Sequence, residues 1–493
     1  MSSYIMAIDQ GTTSTRTCLF NQAGSLVAQA SEAYPQIYPK PGWVEHDPED
    51  IWRTTINTMK KAMDQSGIAG SQILCLGITN QRETVLVWDK DSSKPIYNAI
   101  VWQCRRTQDT CEKLKKTKKD KMITRKTGLV VDPYFSGSKI QWILKNVSGA
   151  KSLAQKGQLR AGTIDTFILW RLTRGRCHKT DVSNASRTML MNLQTLNWDP
   201  ELLKIFQIEP SLLPEITSSS GLFGKTVGLG FLPDGIPITG IAGDQQAALF
   251  GQAGFTAGEV KCTFGTGSFI LLNTGTAIVR SASKLLSTVA WQLQGQKPIY
   301  ALEGGAFVCG AAVQWLRDGL GLIEKSSDIE SLAASVIDTN GVEFVPALTG
   351  LGAPHWRAEA RGVITGLTRG SNKAHLARAT LEAMALQNVE ILEVMQKDLG
   401  KKIKSIKVDG GAAINNLLMQ IQADFSGVQV VRPKNIETTA LGAAYFAGLG
   451  VGLWKSKEEI LKIWQMDHEF KVHMNQKTRG ARLQRWRNAV VKA

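Results

Sequence analysis

Short runs of apolar and β-branched residues alternate along the chain with polar turns that contain glycine. Residues 4–10 (YIMAIDQ) lead into the turn GTTS, and two further apolar runs follow before residue 31. This pattern predicts three strands joined by tight turns. Residues 73–89 (ILCLGITNQRETVLVWD) show the same order of strand, polar turn and strand.

The second half of the chain repeats this design. Residues 258–275 (GEVKCTFGTGSFILLNTG) again predict a hairpin, and its turn has TGS at 266–268 where the first hairpin has TTS at 12–14. Such internal similarity predicts two related α/β domains, residues 1–250 and 251–493.

Residues 236–252 (IPITGIAGDQQAALFGQ) predict a strand that runs directly into a helix. Asp244 lies at the junction, where an acid commonly caps a helix and can equally face a cleft. The preceding residues 215–235 are rich in Gly, Ser and Pro and predict a loop.

Other segments have helical periodicity. The longest, residues 374–398, predicts a core helix whose broad apolar face consists of Leu376, Leu381, Met384, Ala385, Ile391, Leu392 and Met395. Residues 161–173 predict a second helix, and residues 402–425 predict a strand, a double-glycine turn and a helix. Residues 438–452 predict a helix of small residues suited to close packing.

The composition is that of a large globular protein. The 493 residues exceed what one hydrophobic core organises, and 43% are hydrophobic and 20% charged. The net charge of +16 attracts anions in general. The densest basic run, residues 113–126, contains no aromatic residue and matches no nucleic-acid-binding module, so we interpret it as a solvated helix face and predict no nucleic-acid partner.

Cysteine usage and hydropathy indicate the compartment. The seven cysteines are scattered without a CxxC pair, which argues against a disulfide framework or a zinc site and favours a reducing compartment. No signal-peptide pattern opens the sequence, and the longest apolar region, residues 440–454, is shorter than the ~20 residues of a membrane span. We therefore expect a cytoplasmic protein without stable membrane insertion.

The turn after the first strand has the composition of an anion site. Gly11 permits a sharp turn, and the amides and hydroxyls that follow can donate to one anion. Asp9 is positioned to hold Mg²⁺ beside a phosphate, and Arg16 adds positive charge. The segment is neither a Walker A loop nor a GxGxxG motif; an Asp followed by a hairpin turn is the device of the actin-like ATPase fold. An ordinary polar hairpin is the alternative, but three glycine-bearing turns after strands favour one nucleotide held between two domains.

Arg82 and Glu83 lie side by side at a turn. They could form a surface ion pair, or a polyol site in which Arg82 donates to hydroxyl oxygens and Glu83 accepts from hydroxyl hydrogens. Trp102, Tyr134 and Phe269 could wall the carbon chain of such a substrate, although each alone is more often a core residue. Scattered histidines and the lack of a GxSxG motif argue against a metal triad and a hydrolase nucleophile.

Together these segments resemble the FGGY family of carbohydrate kinases, and in particular its members that phosphorylate glycerol. The resemblance rests on DQGTTSTR, GITNQRET, DPYFSG, GIAGDQQAALFGQ, FGTGSF and DGGAAINN, among others, and extends from residue 9 to about residue 450. It implies two actin-like (ribonuclease H-like) α/β domains with a cleft between them. It further implies glycerol and ATP as substrates, Mg²⁺ as the metal, and a homodimer or homotetramer.

The resemblance also implies roles for individual residues. Asp244 matches the catalytic base, and Asp9 matches the acid near the metal. The implied glycerol contacts are Arg82, Glu83, Trp102, Tyr134, Asp244, Gln245 and Phe269. The implied nucleotide contacts are Thr12, Thr13, Ser14, Arg16, Thr266, Gly310, Gln314, Gly411 and Asn415.

Two positions depart from the family pattern. The loop of residues 224–237 lacks the Arg with which related bacterial enzymes bind fructose 1,6-bisphosphate, so we expect weak or no inhibition by that effector. Arg357 occupies a position where the family usually has Asp. Three other functions remain open: an FGGY kinase for a larger polyol or sugar, an actin-like ATPase of the assembly or chaperone type, and a nucleic-acid binder suggested by charge alone.

Overall fold

Strands and helices alternate along the chain, in agreement with the predicted α/β class. The computed structural model describes residues 3–357 and 359–493. The strands before residue 250 are β1 (Tyr4–Gln10), β2 (Ser14–Phe20), β3 (Leu26–Ala33), β4 (Glu45–His46), β5 (Ile73–Asn80), β6 (Val85–Asp89), β7 (Ala99–Ile100), β8 (Leu159–Thr163), β9 (Lys179–Asp181), β10 (Met191–Asn192), β11 (Asn197–Trp198), β12 (Glu215–Thr217), β13 (Ser220–Lys225) and β14 (Pro237–Gly243). The helices in this half are α1 (Pro48–Ser66), α2 (Gln108–Lys116), α3 (Asp120–Thr127), α4 (Ser136–Asn146), α5 (Ala150–Gln155), α6 (Ile164–Leu172), α7 (Val182–Ala185), α8 (Pro200–Phe206) and α9 (Asp244–Gly251).

The second half continues in the same style. Its strands are β15 (Val260–Phe264), β16 (Ser268–Gly275), β17 (Leu286–Trp291), β18 (Ile299–Ala306), β19 (Glu343–Val345), β20 (Val363–Thr365), β21 (Ser405–Asp409), β22 (Gln429–Pro433) and β23 (Met466–Phe470). Its helices are α10 (Gly310–Asp318), α11 (Asp328–Ala334), α12 (Lys373–Leu399), α13 (Asn416–Ser426), α14 (Thr438–Gly450), α15 (Lys457–Ile463) and α16 (Gln476–Val490).

Two large mixed sheets carry the fold, with the strand orders β13-β14-β5-β1-β2-β3 and β17-β18-β16-β15-β21-β22-β23. In the first sheet β1 runs antiparallel to β2 and parallel to β5. In the second sheet β15 runs antiparallel to β16 and parallel to β21. Both halves therefore begin with a hairpin whose first strand also pairs with a parallel strand, and polar turns follow these strands in both.

Helix α14 belongs to the second half in sequence but packs against the first sheet and against α9. A Cβ atom on Gly442 would lie 1.8 Å from the carbonyl oxygen of Ala247, and one on Gly77 would lie 2.3 Å from that of Ala443. Because the backbones approach this closely, only glycine fits at these positions. The prediction that this helix uses small residues for close packing is confirmed.

Replacing Gly442 with Ala should destabilise the protein by about 3 kcal/mol, because overpacking a dense interior costs roughly that much and a backbone carbonyl cannot rotate away. The midpoint of urea unfolding measures the effect. Gly480→Ala is the control, since a Cβ atom there would meet nothing within 4 Å and Ala favours a helix. A G442A midpoint equal to that of wild type would contradict the close approach.

The prediction of a loop over residues 215–235 is wrong in part. The segment contains β12 and β13, and β13 pairs with β14 at the edge of the first sheet. A Cβ atom on Gly224 would lie 2.9 Å from both Cys177 Sγ and a methyl carbon of Thr173. The small residue there therefore reflects tight packing in a strand and does not indicate a turn.

The other predicted elements are present. Residues 73–89 form β5 and β6 as expected, although the two strands belong to different sheets. The helix expected over residues 161–173 is α6 and begins only at Ile164, because residues 161–163 belong to β8. The helices expected after residue 243, near residue 416 and across residues 374–398 correspond to α9, α13 and α12. No helix in residues 3–357 and 359–493 is long and apolar enough to cross a membrane.

The basic residues that the sequence singled out lie on the surface. The run of residues 113–126 covers parts of α2 and α3, and most of its lysines are exposed, which confirms a solvated helix face. Arg357 donates from Nη1 to the carbonyl oxygen of Val490 at 3.3 Å, and its Nε lies 3.5 Å from Oε1 of Glu359. This Arg therefore contacts the end of α16.

Candidate active site

Three parallel strands of the first sheet end side by side. In the register of the sheet, Gln10 of β1 lies opposite Asn80 of β5, which in turn lies opposite Gly243 of β14. The turn after β1, the Arg82–Glu83 turn and Asp244 therefore meet at one edge. The carboxyl ends of parallel strands are where α/β sheets bind ligands.

Arg82 is buried at this edge, with its guanidinium surrounded by acceptors. Nη1 and Nη2 donate to the carboxylate of Glu303 at 2.5 and 3.0 Å, and Nη1 also donates to Oε1 of Gln246 at 3.2 Å. Nε lies 2.9 Å from Oδ1 of Asp244 without an aligned hydrogen bond. Burial alone would lower the pKa of Arg82, but the carboxylates of Glu303 and Glu83 hold that pKa above its ordinary value.

Glu83 is equally buried, which excludes the alternative of a surface ion pair. Its backbone has a φ of 62°, a left-handed conformation uncommon for any residue except glycine. Its Oε1 accepts a hydrogen bond from Nε of Arg187 at 2.6 Å, and Nη2 of Arg187 donates to Oε1 of Glu303 at 2.9 Å. Burial raises the pKa of Glu83, and Arg187 opposes that rise.

Sequence reasoning missed Arg187 and Glu303 as members of this site. Glu303 offered a signal, because it is a charged residue inside the otherwise uncharged strand β18 (IYALEGGA). A charge buried in a strand requires a partner of opposite sign. Arg187 offered no comparable signal, since the stretch around it is already polar.

The three aromatic residues lie together. The ring centroid of Trp102 is 5.6 Å from that of Tyr134 and 6.5 Å from that of Phe269, both in edge-on arrangements. Nε1 of Trp102 donates to Oγ1 of Thr12 at 2.9 Å. The aromatic cluster is thereby tied to the turn after β1, and Phe269 joins it from the second sheet.

Asp244 does not cap α9, contrary to one of our two expectations. Gly243 is the N-cap, and Asp244 is the first helical residue. Its Oδ1 accepts from the amide of Gln245 at 2.7 Å, and its side chain is 30% exposed, so the carboxylate remains partly accessible to solvent. Gln245 accepts a hydrogen bond from the buried ammonium group of Lys261, whereas Gln246 contacts Arg82.

The turn after β1 gathers opposite charges. The amide of Gly11 donates to the carbonyl oxygen of Ser14 at 3.0 Å, and Asp9 lies opposite Arg16 in the hairpin. Arg16 forms an ion pair with Glu437, just before α14. Burial raises the pKa of Asp9 to about 7 against the opposing effect of Arg16, with smaller contributions from the carboxylates of Asp244 and Glu437. Thr12 and Ser14 are partly buried here and Thr13 is exposed.

The turn between β15 and β16 contacts the start of α10. The amide of Gly310 donates to the carbonyl oxygen of Gly265 at 2.9 Å. The amide of Ala311 donates to the carbonyl oxygen of Thr266 at 3.1 Å. A Cβ atom on Gly310 would lie 2.7 Å from the Gly265 oxygen, so this close contact requires glycine. Gln314 lies one turn further along α10 and is exposed.

The double-glycine turn lies beside that hairpin, because β15 and β21 are parallel neighbours in which Thr263 lies opposite Asp409. Gly411 is exposed and begins a short 3₁₀ turn. Asn415 caps α13, and its side-chain oxygen accepts from the amide of Leu418 at 2.8 Å. The expected nucleotide residues of the second half therefore cluster around two adjacent turns.

Gly243→Ala is expected to raise the KM for glycerol, the substrate that the family resemblance implies, severalfold while the KM for ATP stays constant. A Cβ atom on Gly243 would lie 2.7 Å from the Cδ and Cγ atoms of Arg82, and this side chain cannot move aside without breaking its contacts with Glu303. Initial rates with each substrate varied in turn provide the measurement, with Gly480→Ala as control. An unchanged KM for glycerol would mean that Arg82 tolerates the displacement.

Comparisons with known proteins agree on one family. Residues 4–251 match the N-terminal domain of the FGGY family of carbohydrate kinases, and residues 260–451 match its C-terminal domain. A glycerol kinase of Bdellovibrio bacteriovorus is 68% identical over 490 residues, which cover 99% of both chains. Glycerol kinase 2 of Thermotoga maritima is 52% identical over 487 residues, which cover 99% of this chain and 98% of the relative.

Solved structures agree with the sequence relatives. The crystal structure of Plasmodium falciparum glycerol kinase with ADP superimposes with a TM-score of 0.93 at 38% identity, covering 100% of this chain and 98% of the other. A ligand-bound xylulose kinase from Lactobacillus acidophilus superimposes with a TM-score of 0.88 at 25% identity, covering 99% and 97% of the two chains. The expected two-domain fold is thereby confirmed.

Proposed function

The chain belongs to the FGGY family of carbohydrate kinases, and from this we infer that it transfers the γ-phosphoryl group of ATP to glycerol, giving sn-glycerol 3-phosphate. The observation that carries the proposal is the meeting of Arg82, Glu83 and Asp244 at the ends of adjacent strands. A donor, an acceptor and a candidate base there suit a small polyol. The full-length likeness to glycerol kinases supports glycerol as that polyol.

Each site residue has a part in the proposed reaction. Arg82, Glu83 and Gln245 bind the hydroxyl groups of glycerol, and the aromatic cluster lies along its carbon chain. Asp244 takes the proton of the primary hydroxyl as that oxygen bonds to the γ-phosphorus, and the bond between the γ-phosphorus and the bridging oxygen breaks to release ADP. Closure of the two halves excludes water, a competing acceptor.

The turns of both halves bind the nucleotide in this proposal. Hydroxyl and amide groups of Thr12, Thr13, Ser14 and Thr266 donate to the phosphates, and Arg16 adds charge. Gly310, Gln314, Gly411 and Asn415 hold the rest of the nucleotide.

Asp9 is the residue proposed to hold Mg²⁺, through water, beside the phosphates. Burial is the main cause that raises the pKa of Asp9, and the carboxylates of Asp244 and Glu437 add to the rise against the effect of Arg16. A divalent ion bound there would favour the charged form of this carboxylate. When bound, Mg²⁺ supplies positive charge to the phosphate oxygens.

We also propose that residues 1–250 and 251–493 form the two halves of this clamp, that the enzyme works in the cytoplasm, and that it assembles as a homodimer or homotetramer. The gap between the two family matches, at residues 252–259, supports the division. Light scattering tests assembly by comparing the mass in solution with the chain mass of 53.8 kDa.

The decisive experiment measures ADP release with glycerol, erythritol, ribitol, xylulose and gluconate in turn. Glycerol should give the highest kcat/KM, and release without an acceptor should be slow. A preference for a longer substrate would indicate another carbohydrate kinase of the family. Equal ATP turnover with and without glycerol would instead favour an ATPase of the assembly type, and salt-sensitive retention on DNA would favour a nucleic-acid binder.

A further inference from the structure

We propose that Glu303 and Arg187 are positioning residues for the polyol: together they fix the orientations of Arg82 and Glu83, so that Nε of Arg82 and Oε2 of Glu83 are left for the substrate. Neither residue is among the expected glycerol contacts. The inference rests on the proposed function, since it concerns how that same site recognises hydroxyl groups.

Glu303 bridges two guanidinium groups. Its Oε1 accepts from Nη2 of Arg82 at 3.0 Å and from Nη2 of Arg187 at 2.9 Å, and its Oε2 accepts from Nη1 of Arg82 at 2.5 Å. The side chain of Glu303 is 3% exposed. Burial alone would raise its pKa, but the two guanidinium groups hold the pKa below its ordinary value, so Glu303 is ionised and charge-paired.

This bridge determines which nitrogen of Arg82 stays available. Both Nη atoms donate to Glu303, and Nη1 also contacts Gln246. Nε has no aligned hydrogen-bond acceptor within the part of the chain that the structure describes, and it lies 2.9 Å from Oδ1 of Asp244. The N–H of Nε is therefore held next to the proposed base, where a hydroxyl oxygen of the substrate would accept from it.

Arg187 does the same for Glu83. Its Nε donates to Oε1 of Glu83 at 2.6 Å, and in residues 3–357 and 359–493 no donor is bonded to Oε2. The guanidinium carbon of Arg187 lies 5.3 Å from the ring centroid of Phe135 and 5.7 Å from that of Tyr134. With Arg187 held between Glu303 and these rings, Oε2 of Glu83 is left to accept from a substrate hydroxyl.

The network also connects the two halves. Glu303 lies in β18 of the second sheet, opposite Leu271 and Leu286, whereas Arg82, Glu83 and Arg187 belong to the first half. The buried cations Arg82 and Arg187 balance the buried anions Glu83 and Glu303. Loss of one of these charges therefore leaves another charge unpaired. The polyol site consequently depends on a carboxylate from the opposite half.

Glu303→Gln tests the proposal because it keeps the shape and removes the charge. We expect the KM for glycerol, and its Kd by calorimetry without nucleotide, to rise about tenfold or more. The KM for ATP should stay within about twofold of wild type. Arg187→Lys keeps the charge but lacks the planar fork, and it should show the same pattern.

Glu343→Gln is the matched control. Glu343 is a buried carboxylate that also bridges two arginines, Arg482 and Arg485, at 2.6–3.0 Å, but this network does not include the polyol residues. E343Q should lower the urea midpoint and leave the Kd for glycerol unchanged. A purely structural role of Glu303 would give E303Q this same profile, and that result would overturn the proposal.

The remaining outcomes are equally informative. If E303Q does not fold, R187K decides, and a normal Kd for glycerol in folded R187K would overturn the proposal. Failure of the proposed function is distinguishable, because wild type itself would then neither bind glycerol nor turn over ATP in response to it.

Discussion

The substitution Asp244→Asn is expected to lower kcat by about 10²–10⁴-fold, the usual contribution of a positioned general base. Glycerol and ATP should still bind, because Arg82 remains paired with Glu303 and the glycine-bearing turns are untouched. Asp244 is the first residue of α9, and its side chain is more exposed than the buried network behind it. The amide preserves the local hydrogen bond to Gln245 and cannot take the proton of the attacking hydroxyl.

A coupled ADP assay with both substrates saturating measures this loss, and calorimetry measures binding. Asp50→Asn is the control, since Asp50 is a partly exposed carboxylate of α1 paired with Arg53. Its loss should leave kcat unchanged. Near-normal turnover of D244N would remove Asp244 from the role of base, and the role would have to pass to another group.

The turns of the two halves were predictable because their signals are local. A glycine followed by hydroxyl residues after an apolar run determines a tight turn within a few residues. The turns at Gly11, Thr266 and Gly411 each come directly after a predicted strand. The same reasoning failed for β13, whose glycines reflect contacts with Thr173 and Cys177 that no local pattern contains.

The way in which the site comes together was not predictable from the pattern alone. Arg82, Asp244 and Asp9 meet because β1, β5 and β14 are parallel neighbours, and strand order is a property of the whole sheet. Grouping these residues from sequence required the family resemblance. The partners of Glu303 could not be identified from the sequence, because they come from the opposite half and no residue near Glu303 in the chain indicates them.

Asp9→Asn is the other substitution expected to have a large effect. It should lower kcat by about a hundredfold and weaken the apparent binding of Mg²⁺. Removing one charge-stabilising group at a transferring phosphoryl costs about this much. Asp9 lies near the carboxylates of Asp244 and Glu437, and the cation beside it, Arg16, already pairs with Glu437. An amide there cannot attract a divalent ion as the carboxylate does.

Titration of Mg²⁺ at fixed ATP, followed by rate and by calorimetry without glycerol, measures the D9N effect. Asp165→Asn is the matched control, because burial raises the pKa of Asp165 to about 7 as it does for Asp9. The hydroxyl groups of Thr163 and Thr180, both in the first half, donate to Asp165. If D165N lowered Mg²⁺ affinity as much as D9N does, loss of any buried carboxylate would explain both. If only D9N lowers Mg²⁺ affinity, the metal binds at the turn after β1, where the phosphates, Asp244 and the glycerol hydroxyl have to meet.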